Sequence, residues 1–131
     1  MLRYEYMPSD FHPLFLFLGE AADLAALARL LRRFAENPVP TAVAERIPGA
    51  MSRDALVLTP ADDAFGMRDL GGHFAWKLTP WQAERIAERI EILSEKDTKS
   101  GSEILELGSE GEIPVKVSRG EFTDDFLVTR R

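Results

Sequence analysis

The run Leu14-Phe15-Leu16-Phe17-Leu18 constrains this chain more than any other segment. Five consecutive apolar side chains in an extended strand point alternately to both faces. Such a strand has to be covered on both sides, so it belongs in the middle of a sheet or at a face between subunits. Gly19 ends the run, and the period of the sequence then changes. Leu24, Leu27, Leu31 and Phe34 recur at steps of three and four, which places them on one face of a helix over roughly 20–37. Glu20 and Asp23 stand near its start and Arg29, Arg32 and Arg33 towards its end, an order that complements the helix dipole. Pro38 and Pro40 stop it.

A second helix, over roughly 80–95, has the clearest start signal in the chain. Thr79 is placed to cap, Pro80 suits the first helical position, and Gln82 completes a capping box. Ala83, Ile86, Ile90 and Leu93 form its apolar stripe, with Ala87 beside it.

Strands are expected at 2–6, at 54–59, at 74–78 and at 103–107. A return strand carries Ile113, Val115 and Val117; because proline lacks an amide proton, Pro114 points to an edge position for it or to a proline side that faces solvent. The segment 41–47 fits helix and strand equally, and 61–72 reads as a loop. No internal repeat is visible; Leu-Thr-Pro occurs at 58–60 and 78–80, where it ends a strand both times.

The short connections favour an antiparallel or mixed sheet of about five or six strands packed with two amphipathic helices, a two-layer α+β fold. At 131 residues the chain fits one domain spanning 1–131, within the usual range of about 100–150.

Composition removes several chemistries. The absence of cysteine eliminates thiol nucleophiles, iron–sulfur clusters and cysteine-based zinc sites. Two histidines are too few for a histidine-rich metal site. The phosphate-cradling glycine motifs and the G-x-S-x-G elbow do not occur. No cofactor or metal is expected on these grounds. A formal charge of -6 opposes binding to nucleic acid. The most apolar stretch, 14–31, is interrupted by Glu20, Asp23 and Arg29, so no membrane span or cleaved signal is expected and the cytoplasm is the default compartment.

Two regions are candidates for function. The loop with Asp62, Asp63, Asp69 and His73 offers carboxylates and an imidazole of the kind that bind hard metals or serve as acid and base. The stretch 103–125 sets Glu103, Glu106, Glu110, Glu112, Glu121, Asp124 and Asp125 against Lys116 and Arg119, nearly the whole net charge. Such a surface steers a basic partner. Trp81, in the first turn of the second helix, is a candidate interface anchor.

The favoured expectation is a non-enzymatic interaction or regulatory domain whose acidic surface, with Glu110, Glu112, Glu121, Asp124, Asp125 and Trp81, engages a basic protein. On size and charge alone this is also the profile of toxin-neutralising immunity proteins. The alternative is a small-molecule or metal-dependent protein or enzyme using Asp62, Asp63, Asp69 and His73, which requires those four to converge on one cleft. A homo-oligomer is the third reading, built on the 14–18 run and the Pro114 strand.

Overall fold

The computed structural model describes residues 1–8, 13–95 and 101–120. Along these residues run β1 (Arg3–Met7), β2 (Leu14–Gly19), α1 (Ala21–Glu36), β3 (Thr41–Ala42), α2 (Val43–Arg46), β4 (Leu56–Pro60), β5 (Gly66–Asp69), β6 (Phe74–Leu78), α3 (Pro80–Ser94), β7 (Gly101–Leu105) and β8 (Val115–Arg119). The strands form two mixed sheets, ordered β1-β2-β8-β7 and β3-β4-β6-β5. In each sheet the central pair is parallel and both flanking pairs are antiparallel. The α+β class with mixed sheets is therefore the observed architecture.

A shift of 59 residues relates the central strands of one sheet, and the long helix between them, to those of the other. It carries Glu20, which precedes α1, onto Thr79, which precedes α3, and it carries β4 onto β8. The central ladders obey the same shift. Phe15 lies opposite Val115, and their counterparts Phe74 and Leu56 lie opposite each other. Phe17 with Val117 corresponds likewise to Trp76 with Leu58.

The molecule thus consists of two halves, β1-β2-α1-β3-β4 and β5-β6-α3-β7-β8. Each keeps its first hairpin in its own sheet and lends its second strand pair to the other sheet. Counterpart residues meet at the pseudo-two-fold axis. The Phe15 and Phe74 rings are 5.2 Å apart edge to face, and Phe17 stacks on Trp76 at 5.4 Å.

The helices obey the relation too. Five buried places of α1 and α3 correspond: Leu24 with Ala83, Leu27 with Ile86, Ala28 with Ala87, Leu31 with Ile90, Phe34 with Leu93; α1 buries Leu30 in addition, where α3 has the exposed Arg89. Each fully buried Leu or Ile contributes about 1.5–3 kcal/mol by leaving water, so these stripes hold the helices to the shared core. Arg32 and Glu91, also counterparts, join the helices through two hydrogen bonds of 2.7 and 2.6 Å. The start of α3 is the expected capping box: the Gln82 amide donates to Thr79 Oγ1, and the Thr79 amide donates to Gln82 Oε1.

Three details differ from the sequence reading. The strand β8 is central, not at an edge. Pro114 escapes the usual conflict by standing just before the strand, where its carbonyl accepts from the Phe15 amide at 2.9 Å and no donor is required of it. The segment 41–47 is both things in turn, two residues of β3 followed by the single turn of α2. The stretch 61–72 contains β5, so β3 and β5 add to the strands expected.

Candidate interaction surface

Parallel pairing of β4 with β6 brings Pro60 beside Leu78, and the Ala61 amide donates to the Leu78 carbonyl at 3.1 Å. Antiparallel pairing sets Gly66 of β5 opposite Lys77 of β6. One end of this sheet therefore gathers the loop 61–65, the start of α3 and the start of β5. Asp62 is exposed there and makes a turn, its Oδ1 accepting from the Ala64 amide at 2.9 Å. Lys77 Nζ reaches Asp62 Oδ2 at 3.2 Å. The Ala64 amide, aided by the Lys77 ammonium, holds the Asp62 carboxyl below the ordinary carboxylate range. Asp63 is exposed beside it.

Asp69 and His73 lie at the opposite end of the β5–β6 hairpin, about 10 Å away at roughly 3.3 Å per strand residue. There Asp69 Oδ1 accepts from the Gly71 amide at 2.9 Å, and the His73 carbonyl accepts from the Leu70 amide. The structure thus does not bring Asp62, Asp63, Asp69 and His73 into one cleft. Each aspartate that bonds locally shapes a turn. Among the described residues no group of three His, Asp or Glu is placed to hold a metal ion.

The acidic stretch after β7 docks on the same end as Asp62. Arg68 of β5 is the clamp: its Nη1 donates to the Glu110 carbonyl at 2.7 Å, its Nη2 to Ser109 Oγ, and its Nη2 also to the Phe65 carbonyl at 2.9 Å. The Ile113 amide donates to the Met67 carbonyl at 2.9 Å, covering the free side of β5. Glu112 turns inward. Its Oε1 accepts from the amides of Leu107 and Ser109, both at 2.9 Å, and from that of Gly108. It packs so closely on Gly66 that a Cβ there would stand 2.5 Å from Oε2. Glu112 thus orders the loop, whereas Glu110 is exposed. Glu121, Asp124 and Asp125 lie outside the described residues.

Trp81 follows from Thr79 by two residues, at the same end, and 68% of it is exposed. The Arg85 guanidinium, one turn on, lies 5.6 Å from the indole centroid. That contact holds the ring against the helix with its other face open. The result is an exposed flat aromatic at the end of the sheet that also carries Asp62 and Asp63. Arg32, one of the three clustered arginines, is occupied by Glu91, which raises its affinity for the proton and lowers that of the Glu91 carboxyl.

The part of this arrangement that sequence did not signal is Arg68. It stands over 40 residues from the Ser109–Glu110 loop it holds, and no spacing rule links the two. Compared with known proteins, the chain matches no family model, no curated protein and no solved structure.

Proposed function

We propose that this chain is a non-catalytic protein-interaction domain that engages a basic protein surface through Trp81 and the acids around it. The observation that carries the reading is the exposed indole of Trp81. Large flat aromatics at a desolvated centre supply much of the energy of protein contacts, and a charged rim supplies orientation and rate. Arg85 restricts the ring before binding, which lowers the entropy lost on docking. Asp62, Asp63 and Glu110 give the rim its sign.

The test is capture of the tagged chain from lysate of its source cell at low salt, followed by native mass spectrometry. The wild type is expected to retain a basic protein in fixed stoichiometry and to release it at raised salt. Trp81→Ala, and separately Asp63→Lys with Glu110→Lys, should lose that partner while melting normally. Retention by both variants would overturn the proposal.

A further inference from the structure

A sheet edge offers unpaired amides and carbonyls to any passing strand, and proteins block their edges accordingly. Three of the four edges here are blocked. Along β1, the Tyr4 amide donates to the Met51 carbonyl, the Met51 amide to the Leu2 carbonyl, and the Tyr6 amide to Asp54 Oδ2. Along β5, Ile113 pairs with Met67. The strand β3 has only two residues. The fourth edge, β7, is five residues long, and among the described residues nothing pairs with its outer side.

Its backbone orientation follows from one bond. The Phe15 amide donates to the Pro114 carbonyl, so alternate residues of β8, Val115 and Val117, turn their peptide groups to β7. They lie opposite Leu105 and Glu103. Ser102 and Ile104 therefore present their own amides and carbonyls outward. The Ile104 side chain is 47% exposed on this rim. Glu106, just past the strand, is exposed as well.

We propose that β7 accepts an extended basic segment of a partner protein, which adds to the β1-β2-β8-β7 sheet through the backbone of Ser102 and Ile104. The charge of the segment rests on the interaction-domain reading above; the edge geometry does not. Glu106, exposed just past the strand, favours lysine or arginine along the added strand, as does Oε1 of Glu103, whose Oε2 accepts from Arg89 at 3.1 Å; a second copy of this chain, at a formal charge of -6, would meet them with like charge.

The probe is a nine-residue peptide alternating lysine with valine, compared with its glutamate–valine counterpart. Amide hydrogen exchange is read on the intact protein at low salt. The lysine peptide is expected to slow exchange at Ser102 and Ile104 at least about ten-fold, and the glutamate peptide to leave it unchanged. Ile104→Pro removes only an outward donor, so it should fold and bind the lysine peptide at least about ten-fold more weakly. Exchange unaltered at Ser102 and Ile104 overturns the edge proposal, whether or not Ile104→Pro folds. If Trp81→Ala still abolishes partner capture, the interaction-domain reading survives that failure. Equal slowing by both peptides overturns the assigned charge. Sedimentation showing a wild-type dimer that Ile104→Pro dissolves would make a second copy the occupant and overturn the partner.

Discussion

In the first half of the molecule the outer turn of α1 carries Ala22 and Ala26, and the matching places in α3 carry Trp81 and Arg85. Arg33 corresponds in the same way to Ile92, which is exposed. The two-residue β3 corresponds to the five-residue β7. Inside, the halves agree: five buried places of the two helices correspond, and counterpart rings touch. The difference teaches which constraint acts where. A shared core fixes the interior of both halves, since neither hairpin can change without disturbing its counterpart's sheet. The outer surface is free of that constraint, and among the described residues it is the second half that carries an exposed indole and an edge strand with no partner on its outer side.

The strongest way to break the shared core is at the axis. Trp76→Ala should lower unfolding free energy by about 3–5 kcal/mol in a denaturant titration, and Phe17→Ala by a similar amount. The double variant should cost less than the sum, because the two rings stack on each other. Strict additivity would mean that the halves do not share a core there.

Trp81→Ala sharpens the contrast from the other side. Stability should change by no more than about 0.5 kcal/mol, whereas partner affinity should fall by about 2 kcal/mol or more. Calorimetry on the captured complex and thermal melting on the free chain measure the two separately. Ala22→Trp, its mirror, should leave both unchanged.

A smaller effect is expected at the glycines of the β5–β6 hairpin. Gly66 has φ +93° and faces Glu112, whereas Gly71 has the same φ and open space. Gly66→Ala should therefore destabilise by about 1–3 kcal/mol through strain and a displaced Glu112. Gly71→Ala should cost visibly less in the same urea titration.

The smallest effect belongs to the pair that joins the helices. Arg32 holds the Glu91 carboxyl below its ordinary range, so its stabilisation is complete above the ordinary carboxylate value and is lost as pH falls through the lowered one. Both side chains are over a third exposed, so solvent screens the pair. Melting curves from neutral to acid pH should show a slightly shallower acid-side loss in Glu91→Gln than in wild type. Raised salt should narrow that gap.

Local signals in the sequence were sufficient wherever one segment decides its own state. The Thr79–Gln82 box, both apolar stripes and the doubly buried β2 are of that kind. The pseudo-two-fold was not legible, because along the matched elements only Phe15 and Phe74, Ala28 and Ala87, and Glu36 and Glu95 coincide. Size and polarity suffice for the core, so matched places need not carry the same residue. The strand β5 carries no local signal, because Gly66-Met67-Arg68-Asp69 is built for contacts with the distant 109–113 segment and not for alternation. The same long-range contacts explain the two candidate regions. Composition marks 61–72 as a polar loop and 103–125 as an acidic stretch, but only the pairing of β4, β5 and β6 decides that Asp62 lies at the end where Arg68 holds Glu110, apart from Asp69 and His73.

The chain has two tryptophans, one in each role: Trp76 is 1% exposed at the axis, and Trp81 stands outside. The most direct measurement is therefore the indole N–H region of a nitrogen-15 spectrum as the captured partner is added at low salt. The account predicts that the Trp81 signal moves or broadens with partner while the Trp76 signal stays in place. A complex that forms with the Trp81 signal unmoved would contradict it.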